Sequence, residues 1–198
     1  ESAAAWQLRE RIRQVARRNL HCLIMGPSGA GKELCAEALH KQSPRAKRTL
    51  VARNAATIPE GLMDAELFGN IKDYPNPGME ARPGLVGEAE GSTLFLDEIG
   101  ELPQRLQTHL LRLMDGGEFH RLGEAKVRLA DFTMIAATNR PPEQLKEDLL
   151  ARFVMHIEVP GLDARRGDVP LLMRYALQDF ARSEPEIAHR FFEEADPG

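Results

Sequence analysis

Only two cysteines occur in the 198 residues, Cys22 and Cys35, and they do not form a C-x-x-C pair. A disulfide framework is therefore excluded, and a reducing cytoplasm is the expected home. Long apolar runs are missing as well. None approaches the ~18 residues that a membrane span needs, and no signal peptide is recognisable. The six histidines, at 21, 40, 109, 120, 156 and 189, lack metal-ligand spacing and are read as structural or surface residues. An excess of positive charge is also absent. The formal net charge of −4 argues against a surface built chiefly to coat nucleic acid. No repeat or low-complexity tract interrupts the chain, which fits one domain or one domain with part of a second. It starts at Glu1 rather than Met and reads as a segment of something longer.

What is present is an alternation of short apolar runs and amphipathic stretches. Leu8, Ile12, Val15 and Ala16 share a helix face, and Arg9, Arg13 and Arg17 lie elsewhere on that helix as a solvated surface. Leu20–Met25 reads as a buried strand, followed by a glycine-rich turn and a helix from Gly31 to His40. Leu50–Ala52 reads as a strand and Pro59–Phe68 as a helix. Thr93–Leu96 is a third strand, and the spacing of Leu102, Leu106, Leu110, Leu113 and Met114 predicts a helix. Phe132–Ala137 and His156–Val159 supply two more strands, with a helix over Gln144–Phe153 between them. Strands alternating with helices predict an α/β fold, a parallel sheet flanked by helices.

The sharpest motif is Gly26-Pro27-Ser28-Gly29-Ala30-Gly31-Lys32-Glu33, placed between a predicted strand and a predicted helix. That is the context of a P-loop. Glycines let the backbone wrap phosphate oxygens, while loop amides and the helix N-terminus offer them positive potential. Lys32 is placed to reach the β- and γ-phosphates of ATP as a point charge. Glu33 stands where the general motif has Ser or Thr to bind Mg²⁺, so the metal must lean on other ligands. Asp97 and Glu98 end an apolar strand, which puts both at the carboxyl edge of the sheet. Asp97 is the expected Mg²⁺ ligand, directly or through water, and Glu98 the expected base for the attacking water.

These residues carry a resemblance to the central AAA+ domain of bacterial sigma-54-dependent transcription activators, the enhancer-binding proteins. That family also has Glu after the P-loop lysine. Further similar segments are Ala65-Glu66-Leu67-Phe68-Gly69 and the stretch from Glu90 to Pro103. Gly117-Glu118-Phe119-His120-Arg121-Leu122-Gly123 and Ala136-Ala137-Thr138-Asn139-Arg140 also fit. The resemblance implies that Asn54 holds the catalytic glutamate in check and that Asn139 senses the γ-phosphate. It implies a homo-oligomeric ring, usually a hexamer, in which arginines reach the neighbouring subunit's site. Arg152 matches the second finger position, and Lys146 stands at the first without an arginine's planar fork. It also implies a division into a nucleotide-binding subdomain over 1–167 and the start of a helical lid over 168–198. DNA contact would come through a helix-turn-helix domain that these residues do not include.

Two departures matter. The family's Pro-Pro-Leu-Arg-Glu-Arg stands here as Pro160-Gly161-Leu162-Asp163-Ala164-Arg165. Between Gly69 and Gly84, Asp73-Tyr74-Pro75-Asn76-Pro77-Gly78 replaces the Gly-Ala-Phe-Thr-Gly-Ala loop that grips the sigma factor. Two prolines stiffen a loop that should move. The expected function is thus an ATPase module of a transcription regulator that does not engage sigma-54 through the usual loop. An RNA polymerase-remodelling ATPase with a variant loop and an unrelated P-loop enzyme, such as a small-molecule kinase, stay open as alternatives.

Overall fold

The structure, a computed structural model, describes residues 2–185. Five parallel strands form one sheet in the order β2-β3-β6-β1-β7: β1 (Cys22–Met25), β2 (Val51–Asn54), β3 (Thr93–Asp97), β6 (Thr133–Thr138) and β7 (Met155–Glu158). Between β3 and β6, β4 (Glu118–Phe119) and β5 (Arg128–Leu129) pair as a separate antiparallel ribbon. The helices are α1 (Ala3–Ala16), α2 (Lys32–Lys41), α3 (Met63–Phe68), α4 (Gly84–Glu88), α5 (Gln104–Gly116), α6 (Glu147–Arg152) and α7 (Val169–Ser183).

Side chains alternate across each strand, so the sheet divides the interior into two layers. Leu23, Leu94, Leu96, Met134 and Ala136 face Leu67, Val86, Leu106 and Leu110 of α3, α4 and α5. Their neighbours Cys22, Ile24, Phe95, Ile135 and Ile157 face Ile12 and Val15 of α1 and Cys35, Ala36 and Leu39 of α2. Full burial of a leucine such as Leu94 or Leu96 contributes about 1.5–3 kcal/mol. Strands buried on both faces read as continuous apolar runs, which is why the sequence signals them plainly.

Boundaries shift where tertiary contacts decide them. The first strand begins at Cys22 rather than Leu20, because Asn19 turns at positive φ and leaves Leu20 exposed. The second runs on to Asn54, held by its pairing with β3. The helix expected over Pro59–Phe68 begins as a single 3₁₀ turn at Glu60–Leu62. The one expected over Gln144–Phe153 is interrupted by extended Leu145, and α6 starts only at Glu147. Helix α4 and the β4–β5 ribbon carry no strong periodic signal in sequence. Helix α7 follows a 3₁₀ segment, Leu162–Asp168, and none of its residues is buried. Residues 186–198, the rest of the expected lid segment, and His189 lie outside the described residues.

Candidate nucleotide site

The P-loop joins β1 to α2 as a closed turn, with the Ala30 amide donating to the Pro27 carbonyl at 3.2 Å. Gly29 and Gly31 both take left-handed backbone, φ +73° and +94°, which a side chain would resist. Gly26 is needed for a different reason: a β-carbon there would meet the Val159 carbonyl oxygen at 2.5 Å. Lys32 is the first residue of α2 and is buried, 6% exposed. Its Nζ donates to the Gly26 and Pro27 carbonyls at 3.2 and 3.3 Å. The first amides of any helix lack intrahelical acceptors, so the start of α2 adds donors beside that ammonium. Ser28 and Glu33 are exposed.

The acids come from β3. Asp97 ends the strand, and its Oδ1 accepts from the Glu98 amide at 2.9 Å. Glu98 has φ +50° and ψ +46°, an uncommon conformation for a side-chain-bearing residue. It costs about 1–2 kcal/mol, and such strain gathers at functional sites. The turn directs the carboxylate into the cleft. One oxygen lies 4.0 Å from Lys32 Nζ, and the other accepts from the Asn139 amide at 3.4 Å. Adjacent β1, β6 and β3 thus bring the P-loop, Asn139 and the Asp97–Glu98 pair together at the carboxyl edge of the sheet.

Asn54 lies opposite Asp97 in the β2–β3 register. Its amide nitrogen approaches Asp97 Oδ2 at 3.5 Å, and its oxygen caps the following turn by accepting from the Ala56 amide at 2.9 Å. In this conformation the asparagine addresses Asp97 and the turn rather than Glu98. Lys146 and Arg152 are not brought into the cleft. Lys146 Nζ donates to Thr108 Oγ1 at 2.6 Å, and Arg152 pairs with Asp115, both partners being on α5.

Sequence reasoning missed two residues. Arg165, in the Leu162–Asp168 segment, donates to the Ala30 carbonyl of the P-loop at 2.7 Å. Asp168 accepts the Ser2 hydroxyl at 2.7 Å, and Ser2 in turn caps α1 by accepting from the Ala5 amide at 3.2 Å. The bond from the Ser2 hydroxyl, with one from the Ser2 backbone amide at 2.5 Å, holds the Asp168 carboxyl below its ordinary range. The available signal was Arg165 itself, the last arginine of the Pro-Pro-Leu-Arg-Glu-Arg pattern, kept where half of that pattern is lost.

The insertion before α4 is closed on itself. Asp73 donates its amide to the Met79 carbonyl at 2.8 Å and accepts from the Gly78 amide at 2.7 Å. Buried Asn70 donates to the Ile71, Tyr74 and Glu80 carbonyls beneath it. The Tyr74 ring lies against Gly123, where a β-carbon would come within 2.6 Å of it. Both cysteines are buried, and burial pushes each thiol up to about 12. Among the described residues no helix is long and apolar enough to cross a membrane.

Comparison with known proteins agrees with this geometry. A family model described as the Sigma-54 interaction domain matches residues 1–158. The DNA-binding transcriptional regulator NtrC of Escherichia coli (strain K12) is 42% identical over 188 residues, 90% of this chain and 40% of NtrC. The Nif-specific regulatory protein of Azotobacter vinelandii is 41% identical over 182 residues, 88% of this chain and 35% of that protein. NtrX from Brucella abortus, solved in complex with ATP, is 39% identical with a TM-score of 0.85, covering 93% of this chain and 43% of NtrX. The chain therefore spans about two fifths of the length of these relatives. An unrelated P-loop kinase is set aside by these matches, and with the AAA+ sheet in place the chain belongs to the sigma-54 interaction domain family of NtrC- and NtrX-like transcription regulators.

Proposed function

We propose that this chain binds ATP with Mg²⁺ in the P-loop cleft and hydrolyses it. The carrying observation is the convergence of Lys32, Glu98 and the Asn139 amide at one sheet edge, with Glu98 held in strained backbone to reach the other two. Lys32 exchanges its bonds to the loop carbonyls for the β- and γ-phosphates. The P-loop residues Gly26, Pro27, Ser28, Gly29, Ala30, Gly31 and Glu33 wrap the triphosphate through their backbone. Glu98 takes a proton from the attacking water, and Asn139 lies where the terminal phosphate is read. Asn54 shares Asp97 and so couples β2 to the acidic pair.

The residues fit a Mg²⁺ that takes few ligands from the protein. No group of three or more His, Cys, Asp or Glu able to hold a metal exists among the described residues. Asp97 would hold the Mg²⁺ from the protein side, and an ion that keeps most of its ligands as water and phosphate oxygens suits a site with so few carboxylates. When bound, it neutralises charge developing on the phosphates.

Catalysis completes in a homo-oligomeric ring, a hexamer by family resemblance. There Arg152 at the end of α6 and Lys146 just before its start, both away from their own cleft, address a neighbour's nucleotide. Residues 1–167 form the nucleotide-binding subdomain and 168–198 start the lid. DNA contact belongs to parts of the protein outside this chain, and the protein works in the cytoplasm. The closed insertion around Tyr74 does not present the usual apolar grip to sigma-54. The test is calorimetry on Lys32→Ala. ATP binding should be lost, and unchanged affinity would sink the nucleotide assignment. A sigma-54 pull-down in ADP with aluminium fluoride decides the output. Nucleotide-dependent capture lost on Tyr74→Ala would establish the variant-loop remodelling ATPase instead.

A further inference from the structure

A cavity of about 260 Å³ lies between α3, α5 and the β4–β5 ribbon, away from the P-loop. Its floor is apolar: Phe68 and Phe119 are buried, and the exposed ring of His109 stands edge-on to Phe68 with centroids 5.8 Å apart. Its wall holds Arg112 and Arg121. Neither arginine makes a hydrogen bond or ion pair among the described residues, and Arg121 Nε is buried without any partner. Buried donors of a charged group are almost always satisfied, so a cavity-wall guanidinium with an orphaned Nε marks a place for an anionic ligand.

The acids nearby do not answer it. Glu124 is engaged by both Nε and Nη2 of Arg128, at 2.7 and 3.0 Å, and Arg121 reaches it only by a through-space attraction. Asp64 is held by Arg105 at 2.6 Å. The position facing Arg121 from α4 is Gly87, where a β-carbon would sit 3.1 Å from Pro83 Cβ and 3.8 Å from Arg121 Nη2. A residue there with a carboxylate would pair with the arginine, and this chain has none.

We propose that the cavity is a docking site for an acidic segment of a partner protein. A carboxylate of that segment pairs with Arg121, and a neighbouring aromatic side chain rests on Phe68 and Phe119. Charge complementarity selects the acid, with two unpaired arginines against Glu118 as the one lining acid that has no ion pair. The volume selects a protruding side chain over an enclosed metabolite, since small-molecule sites occupy roughly 300–1,000 Å³. An apolar floor inside a charged, exposed rim is also the anatomy of a protein interface.

The test uses the nucleotide-free 198-residue chain, so its failure would leave the ATP assignment untouched. Fluorescence polarisation is measured with a labelled Gly-Glu-Glu-Phe-Gly peptide, with Gly-Lys-Lys-Phe-Gly as the charge-reversed control and 3-phenylpropionate as competitor. The acidic peptide should bind at least tenfold tighter than the basic one. Arg121→Gln should weaken it at least tenfold, and Gly87→Glu should do the same by supplying an internal carboxylate, while Gly87→Gln, which carries the same contact with Pro83 and no charge, should weaken it less. No binding of the acidic peptide, equal binding of both peptides, or parental affinity in both Arg121→Gln and Gly87→Glu would each overturn the proposal. Tighter binding of 3-phenylpropionate than of the peptide would overturn it in favour of a metabolite pocket.

Discussion

Glu98→Gln separates chemistry from binding. Glu98 Oε1 stands 4.0 Å from Lys32 Nζ, with the two side chains 16% and 6% exposed. At that separation and an effective dielectric constant of 20, two unit charges attract by about 4 kcal/mol before desolvation is subtracted. The carboxylate therefore competes with an incoming triphosphate for the same ammonium, and it repels the terminal phosphate as well. Glutamine keeps the size of the side chain, its bond from the Asn139 amide and the left-handed backbone, but removes the charge. If about a quarter of the gross interaction is released, roughly 1 kcal/mol, ATP should bind about fivefold tighter. The amide cannot accept the water's proton, so turnover should fall by about 10²–10⁴. Calorimetry gives the affinity and phosphate release gives kcat. Turnover within tenfold of the parent would remove Glu98 from the role of base. Affinity and turnover falling together would mean that Glu98 only holds the cleft in shape. Glu98→Gly is the companion variant: it relieves about 1–2 kcal/mol of left-handed strain and should be inactive without being destabilised.

The two structurally different P-loop glycines should respond differently to alanine. Gly26→Ala drives a β-carbon to 2.5 Å from the Val159 carbonyl and should cost up to about 3 kcal/mol. Gly29→Ala meets nothing within 4 Å and carries only its left-handed penalty, partly offset in the unfolded chain, for a net of about 1 kcal/mol. Melting curves should then drop by roughly 2–4 °C per kcal/mol, and the reverse order of stability would contradict the contact with Val159. With thiols pushed up to about 12, Cys22 and Cys35 carry on the order of one thiolate in 10⁴ at pH 8, so a thiol reagent should label them only on unfolding. Rapid labelling of the native chain would show that one of them is accessible and open to redox chemistry.

Most of the sheet and the nucleotide loop were legible in the sequence, and the reason is locality. Lys32 bonds to carbonyls five and six residues away, and the conformations of Gly29 and Gly31 are set by the absence of a side chain. A buried parallel strand needs only a short apolar run, so β1, β3 and β6 announce themselves. The left-handed turn at Glu98 already loosens this, because nothing in Asp97-Glu98 alone forces the carboxylate toward Asn139.

Tertiary structure decided everything that depends on register between distant segments. Asn54 meets Asp97 across 43 residues because β2 and β3 pair in one register, and a shift of one residue would turn it to the other face. Arg165 reaches Ala30 across 135 residues, in a segment whose sequence had signalled only departure from the family pattern. The insertion could be read as stiff from its prolines, but its closure through Asn70 and its contact with Gly123 could not. Arg121 matched a family motif as a residue type. Only the fold placed it beside Gly87, where a glycine offers its guanidinium no carboxylate to bond.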